Sequence, residues 1–177
     1  AMPAFEYKSG ELHCEDVPLS KIAAEVGTPF YVYSRAEIER AYRAFDGALE
    51  GIPHRVCYAV KACSTLGVLK VLIELGAGAD IVSAGEPFRW QKAGGAANKV
   101  VFSGVGKSED EMRLAITAGI DMFNVESAEE MTALGAVARS LKTTVKVALR
   151  VNPDVDPQTH PYISTGLKQN KFGIAYA

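Results

Sequence analysis

Short apolar, β-branched runs recur along the chain at residues 56–60, 79–82, 100–102, 122–125 and 145–151. Their centres lie roughly 20 to 24 residues apart, the length of one strand plus one helix in a parallel α/β fold. Helical periodicity fills the gaps. Leu66, Leu69, Leu72 and Ile73 share one face, Met112, Ala115, Ile116 and Gly119 the next, and Met131, Leu134, Ala138 and Leu141 a third. Ahead of this repeat, Leu19, Ile22, Ala23 and Val26 predict a short helix. Residues 30–33 predict a strand, and Ile38, Ala41, Tyr42, Phe45 and Leu49 a longer helix. Four S-x-x-E strings, Ser34/Glu37, Ser83/Glu86, Ser108/Glu111 and Ser127/Glu130, mark helix starts as capping boxes. Runs such as Val100-Val101-Phe102 are apolar enough to be covered on both faces, which favours a parallel sheet. A closed barrel needs eight such units and about 250 residues. Five strand runs in 177 residues leave two expectations open, an open doubly wound sheet or the front part of a barrel. Residues 152–177 lack periodicity, are rich in Pro, Asp, Thr and Gly, and read as a long loop.

In either architecture the chemistry sits just past the strand carboxyl ends. Those positions hold Lys61, Asp80 with Ser83, Ser103-Gly104, Asn124 with Glu126, and Arg150 with Asn152. Lys61 closes the apolar run Val56-Cys57-Tyr58-Ala59-Val60, read as a buried strand. An ammonium group buried there is costly unless neutralised or used. A neutral amine in that place can form a Schiff base with an aldehyde. The bland alternative is a lysine that snorkels to solvent. Asp80 has a structural alternative as a strand-end acceptor, and Glu86 as the second half of a capping box. Arg150 is harder to explain structurally, because a buried guanidinium needs a partner. The string Gly104-Val105-Gly106-Lys107-Ser108 imitates the end of a P-loop, but the first glycine of that motif would fall on Val101. Nucleotide hydrolysis is set aside.

Composition narrows the class further. Apolar content of 48%, charged content of 23% and a net charge of -2 suit a soluble globular chain and give no nucleic-acid footprint. The most apolar stretch, 68–75, contains Lys70 and Glu74, so no membrane span is expected. Glu6, Lys8 and Glu11 stand where a signal peptide would be apolar. Cys14, Cys57 and Cys63 are odd in number and form no CxxC pair, so free thiols in a reducing cytoplasm are expected. His13, His54 and His160 are too far apart for a helical zinc pair, and no metal is expected.

The string YAVKA at 58–62 resembles the cofactor-lysine motif of the fold-type III pyridoxal-phosphate enzymes, the group that includes alanine racemase and ornithine decarboxylase. GAGADIVSAGE (76–86), VFSGVGKS (101–108), FNVES (123–127) and above all ALRVNPDVDPQTHPYISTGLKQNKFGI (148–174) are similar to the bacterial diaminopimelate decarboxylases within that group. The resemblance runs from about residue 5 to the last residue. It implies an α/β pyridoxal-phosphate-binding (β/α)8 TIM-like barrel, about five units of which are present. Residues 1–27 would supply a segment of a second β-domain and a lead-in helix, and 28–177 the incomplete barrel. Within it, 152–177 would be a mobile active-site loop.

By the same resemblance Lys61 matches the lysine that carries pyridoxal 5'-phosphate. Asp80 and Glu86 match acidic positions near it, and Arg150 matches an arginine close to cofactor and lysine. His160, Ser164 and Lys168 would be substrate contacts on the loop. The family usually has asparagine where this chain has Cys63. The stacking histidine, the glycine-rich phosphate loop and the glutamate facing the pyridine nitrogen have no counterpart in these 177 residues. The chain alone is therefore expected to be part of an inactive-by-itself enzyme. The implied whole is a cytoplasmic, homodimeric carboxy-lyase converting meso-2,6-diaminopimelate to L-lysine and CO2, with no nucleic-acid or membrane partner. Two alternatives stay open: another fold-type III decarboxylase or racemase, for ornithine, arginine or carboxynorspermidine, and a non-catalytic relative that only binds the cofactor.

Overall fold

The computed structural model describes residues 4–153 and 172–175. The chain opens with a small antiparallel meander, β1 (Phe5–Lys8), β2 (Glu11–Cys14) and β3 (Val17–Pro18). Ser9 and Gly10 both have positive φ, the backbone that a two-residue hairpin turn demands. Helix α1 (Leu19–Val26) follows, and then α2 (Arg35–Gly47). The Glu15 carboxylate accepts from the Ala36 N–H at 2.9 Å and the Ser34 hydroxyl at 2.7 Å, which fastens the meander to the start of α2. Those bonds hold the Glu15 carboxyl below its ordinary pKa.

From here the strand–helix repeat takes over. In chain order it runs β4 (Cys57–Ala59), α3 (Leu66–Glu74), β5 (Gly78–Ile81), α4 (Gly85–Lys92), β6 (Val100–Phe102), α5 (Glu109–Ala118), β7 (Met122–Val125), α6 (Ala128–Ser140) and β8 (Val147–Leu149). The five strands are all parallel and lie side by side in sequence order, β4-β5-β6-β7-β8. A doubly wound sheet reverses its strand order at a switch point. Here the order never reverses, so the barrel expectation is the one met. Two short strands, β9 (Val151–Asn152) and β10 (Ile174–Ala175), pair in parallel just past β8.

The register separates the two faces. Ala79, Ile81, Val100, Phe102, Phe123 and Val125 form one buried cluster with Leu69 and Leu72 of α3, Trp90 of α4, Met112 of α5 and Leu134 and Val137 of α6. The alternate positions Asp80, Val101 and Asn124 face the other way. The expectation of cover on both faces is met at β6, where Val100, Val101 and Phe102 are all buried. Among the described residues the helices pack on the face of that cluster, the opposite face is the inner one, and β8 departs from the expectation, with Val147 39% and Leu149 56% exposed on the helix side.

Three local readings also change. Residues 30–33 form no strand, since no neighbouring strand supplies a ladder for them among the described residues. The 56–60 run shortens to β4 and then tightens into a 3-10 turn, Val60–Ala62. Lys61 is consequently exposed rather than buried at a strand end. Of the four capping boxes only Ser108/Glu111 is complete. Ser34 and Ser127 accept from the expected N–H groups, but Glu37 turns to Arg40 and Glu130 to the Glu126 N–H. At α4 the cap is Ala84, not Ser83.

Candidate active site at the carboxyl ends of the strands

A cavity of about 680 Å³ opens on the inner face, past the ends of β4 to β8. Lys61, Asp80, Ser103, Asn124 and Arg150 line it, with the 104–106 turn and Phe172. Each strand contributes its polar residue for the same reason. Cα-paired positions share a face, so Asp80, Asn124 and the residues just beyond Val101 and Ala148 are carried to one rim. Lys61 arrives differently, on the 3-10 turn after β4, and its amine makes no hydrogen bond or ion pair with any described residue.

The carboxylate of Asp80 accepts a hydrogen bond from the Ser103 hydroxyl, and Ser103 Oγ in turn accepts from Asn124 Nδ2 at 2.9 Å. Three strands thus fix one carboxylate. Arg150 is held by two contacts. Its Nη1 donates to Glu126 Oε1 at 3.0 Å, and its Cζ lies 4.7 Å from the centre of the Phe172 ring, a cation–π distance. Ile174 N–H donates to the Arg150 carbonyl at 2.7 Å, which seats β10 beside the same residue.

Behind the rim lies a charge network of which sequence reasoning named Glu126 and Arg150 but passed over the buried Lys107–Glu130 pair. Lys107, set aside with the P-loop imitation, has a fully buried side chain. Its Nζ donates to the carbonyls of Gly104 at 2.7 Å and Asn124 at 2.8 Å and to Glu130 Oε1 at 2.7 Å. Glu130 Oε2 accepts from the Glu126 N–H, and Glu126 Oε1 accepts from both the Gly104 N–H at 2.8 Å and Arg150. Two cations and two glutamates therefore alternate within one network, as the burial of Lys107, Glu130 and Glu126 requires. The signal was present as two acids in Glu126-Ser127-Ala128-Glu129-Glu130, but the cap reading of Glu130 absorbed it.

Glu86, matched by resemblance to a cofactor-side acid, does not line the cavity. Its Oε2 accepts from the Val82 and Ser83 N–H groups and closes the turn that starts α4. The structural alternative describes its place here. Cys63, where the family has asparagine, lies 3.4 Å from the Thr65 hydroxyl. Burial pushes its thiol up, but bonds from the Thr65 and Tyr33 hydroxyls and the Thr65 N–H outweigh this and leave its pKa below the ordinary value. His160, Ser164 and Lys168 lie outside the described residues, as does most of the 152–177 loop.

The family model described as pyridoxal-dependent decarboxylase, pyridoxal binding domain, matches residues 35–177. The chain belongs to this family. Among pyridoxal-dependent decarboxylases it is similar to the diaminopimelate decarboxylase of Pseudomonas aeruginosa, with 62% identity over 98% of this chain and 42% of that protein. It is also similar to the crystal structure of Helicobacter pylori diaminopimelate decarboxylase complexed with L-lysine, at 43% identity and a TM-score of 0.85, covering 89% of this chain and 40% of that one. A Vibrio vulnificus lysine/ornithine decarboxylase complexed with cadaverine, at 23% identity and a TM-score of 0.64 over 74% of this chain and 35% of that one, shares the fold. The chain thus spans about two fifths of the length of its decarboxylase relatives.

The rim suits the cofactor of the family on its own chemistry. A primary amine without a partner among the described residues can capture an aldehyde. An oriented carboxylate and a guanidinium flank the same space, and the volume falls within the range of about 300–1,000 Å³ typical of ligand sites.

Proposed function

We propose that the protein to which this chain belongs decarboxylates meso-2,6-diaminopimelate to L-lysine and CO2, the last step of lysine biosynthesis. The observation that carries the substrate is the 62% identity to the Pseudomonas aeruginosa enzyme across 98% of the chain, against 23% for the lysine/ornithine enzyme. L-lysine in the Helicobacter pylori structure supports it, since lysine is the product of this reaction.

In this reading Lys61, Asp80 and Arg150 hold pyridoxal phosphate. When bound, the cofactor supplies an aldehyde to capture amines and a ring that takes up the electron pair left as CO2 departs. The residues of the chain do the rest. Lys61 is free to bond covalently because, among the described residues, no carboxylate or carbonyl occupies its amine. Asp80 is locked by Ser103 and Asn124, so it presents a fixed negative charge rather than a mobile one. Arg150 gives the rim a cation that attracts an anionic ligand, steadied by Glu126 on one side and Phe172 on the other. Glu86 acts on the cofactor side only through the shape of the 82–85 turn.

We further propose that residues 154–172 close over the rim with His160, Ser164 and Lys168 as substrate contacts, and that the whole protein works as a cytoplasmic homodimer. Both follow the family resemblance. No helix among the described residues is long and apolar enough to cross a membrane. The test is an assay of the intact protein with pyridoxal phosphate and, separately, meso-diaminopimelate, ornithine and arginine. Release of L-lysine and CO2 from the first alone is expected. Faster turnover of ornithine, or no lysine at all, would contradict the proposal.

A further inference from the structure

We propose that Glu126 is the positioning residue of this site, a buried carboxylate that sets the place of the Arg150 guanidinium relative to the 104–106 turn. One oxygen, Oε1, accepts both the Gly104 N–H at 2.8 Å and Arg150 Nη1 at 3.0 Å. The guanidinium is thereby referenced to the backbone that walls the cavity, not merely paired with a nearby charge. The carboxylate has little room to be elsewhere, since its side chain is 2% exposed while that of Arg150 is 39% exposed. Its own backbone is pinned too, by the N–H donated to Glu130, whose other oxygen takes the buried Lys107. Among the described residues Arg150 is the one cation bonded to Glu126.

The second oxygen, Oε2, is buried and accepts no hydrogen bond among the described residues. Buried acceptors are rarely left so. An amide keeps an acceptor for the Gly104 N–H and removes the charge that faces Arg150, so the two contributions can be told apart. The alternation of Lys107, Glu130, Glu126 and Arg150 points to the charge. Glu126 does not itself line the cavity and bonds to it at Gly104 and Arg150, so it acts by holding and not by reacting.

The proposal rests on the functional reading only for its turnover arm. Glu126→Gln in the intact protein keeps shape and an acceptor for Gly104 while removing the charge. Its expected results are a fall in kcat/KM with meso-diaminopimelate on the order of 10–100-fold, and faster modification of Arg150 by phenylglyoxal in peptide mapping. The same change made in an Arg150→Met background is expected to cost no more than about twofold, because the residue it acts through is gone. Circular dichroism and thermal unfolding accompany each variant. If E126Q alone is destabilised, the double variant should recover stability, since it strands no guanidinium. Unchanged Arg150 reactivity in E126Q, an undiminished E126Q effect in the R150M background, or a destabilised E126Q that the double variant does not rescue would each overturn the proposal. Raised Arg150 reactivity in a protein that does not turn over the diamino acid would support the positioning role and overturn the substrate assignment instead.

Discussion

The two ends of the five-stranded sheet both carry charge, and they handle it in opposite ways. At the carboxyl ends, Lys107 and Glu126 are withdrawn from water, with side chains 0% and 2% exposed, and each is bonded to backbone and to an opposite charge, though Glu126 Oε2 accepts nothing among the described residues. At the amino ends, Asp121 is shared by Arg55 at 2.6 Å and Lys146 at 2.8 Å, and those two cations are 41% and 76% exposed. Removing one partner of a buried pair is costly, because the remaining charge is left in the interior without compensation. An exposed pair is screened by water and contributes little in either direction. The contrast assigns fixed geometry to one rim and modest stability to the other, and the cavity that holds Lys61 lies on the first.

The sharpest way to break the contrast is to remove one cation from each end. Lys107→Met leaves Glu130 buried without its charge partner and should cost about 3–5 kcal/mol of stability in denaturant unfolding. Lys146→Met, on an exposed side chain, should cost no more than about 1 kcal/mol. Equal losses would mean that the inner network is no more demanding than a surface pair.

Packing offers a second test at the amino end. A Cβ on Gly78 would lie 2.5 Å from the Lys99 carbonyl oxygen and 2.8 Å from Cys57 Sγ. Gly78→Ala should therefore destabilise by about 1–3 kcal/mol while leaving the rim chemistry in place, read as a lower Tm with unchanged cofactor absorbance.

These tests also mark what the sequence made legible. The parallel strands and their order of appearance were readable, because period and spacing follow from local propensity. The convergence of Lys61, Asp80, Ser103, Asn124 and Arg150 was readable because each follows an apolar run. What escaped was set by contacts between distant segments. The Lys107–Glu130 pair joins residues 23 apart in sequence, and the Asp80–Ser103 bond likewise. Glu86 was assigned to the cofactor side by likeness, yet its carboxylate is consumed by two N–H groups of its own turn. Lys61 was expected to be buried because its strand is apolar, but the strand ends two residues earlier and a 3-10 turn lifts it to the surface.

The smallest expected effect concerns pH. Hydrogen bonds from Lys146 and then Arg55 hold the Asp121 carboxyl below its ordinary value near 4. Its contribution is thus fully present above about pH 4 and lost as pH falls through the lowered folded value. Asp121→Asn should cost about 0.2–1 kcal/mol at neutral pH and flatten the acid limb of the stability curve below about pH 4. An acid limb identical to that of the parent would show that the amino-end pair contributes nothing.

Of all these, the position of the cofactor lysine bears most directly on the site. The intact protein would be loaded with pyridoxal phosphate, reduced with borohydride, digested and mapped by mass spectrometry, with Lys61→Ala in parallel. The pyridoxyl mass should appear on Lys61 and on no other lysine. The variant should stay folded, because the Lys61 amine bonds to no described residue, and should lose turnover by at least about 10²–10⁴-fold. Label on Lys107 or any other lysine, or a Lys61→Ala protein that still decarboxylates, would contradict the assignment of this rim as the active site.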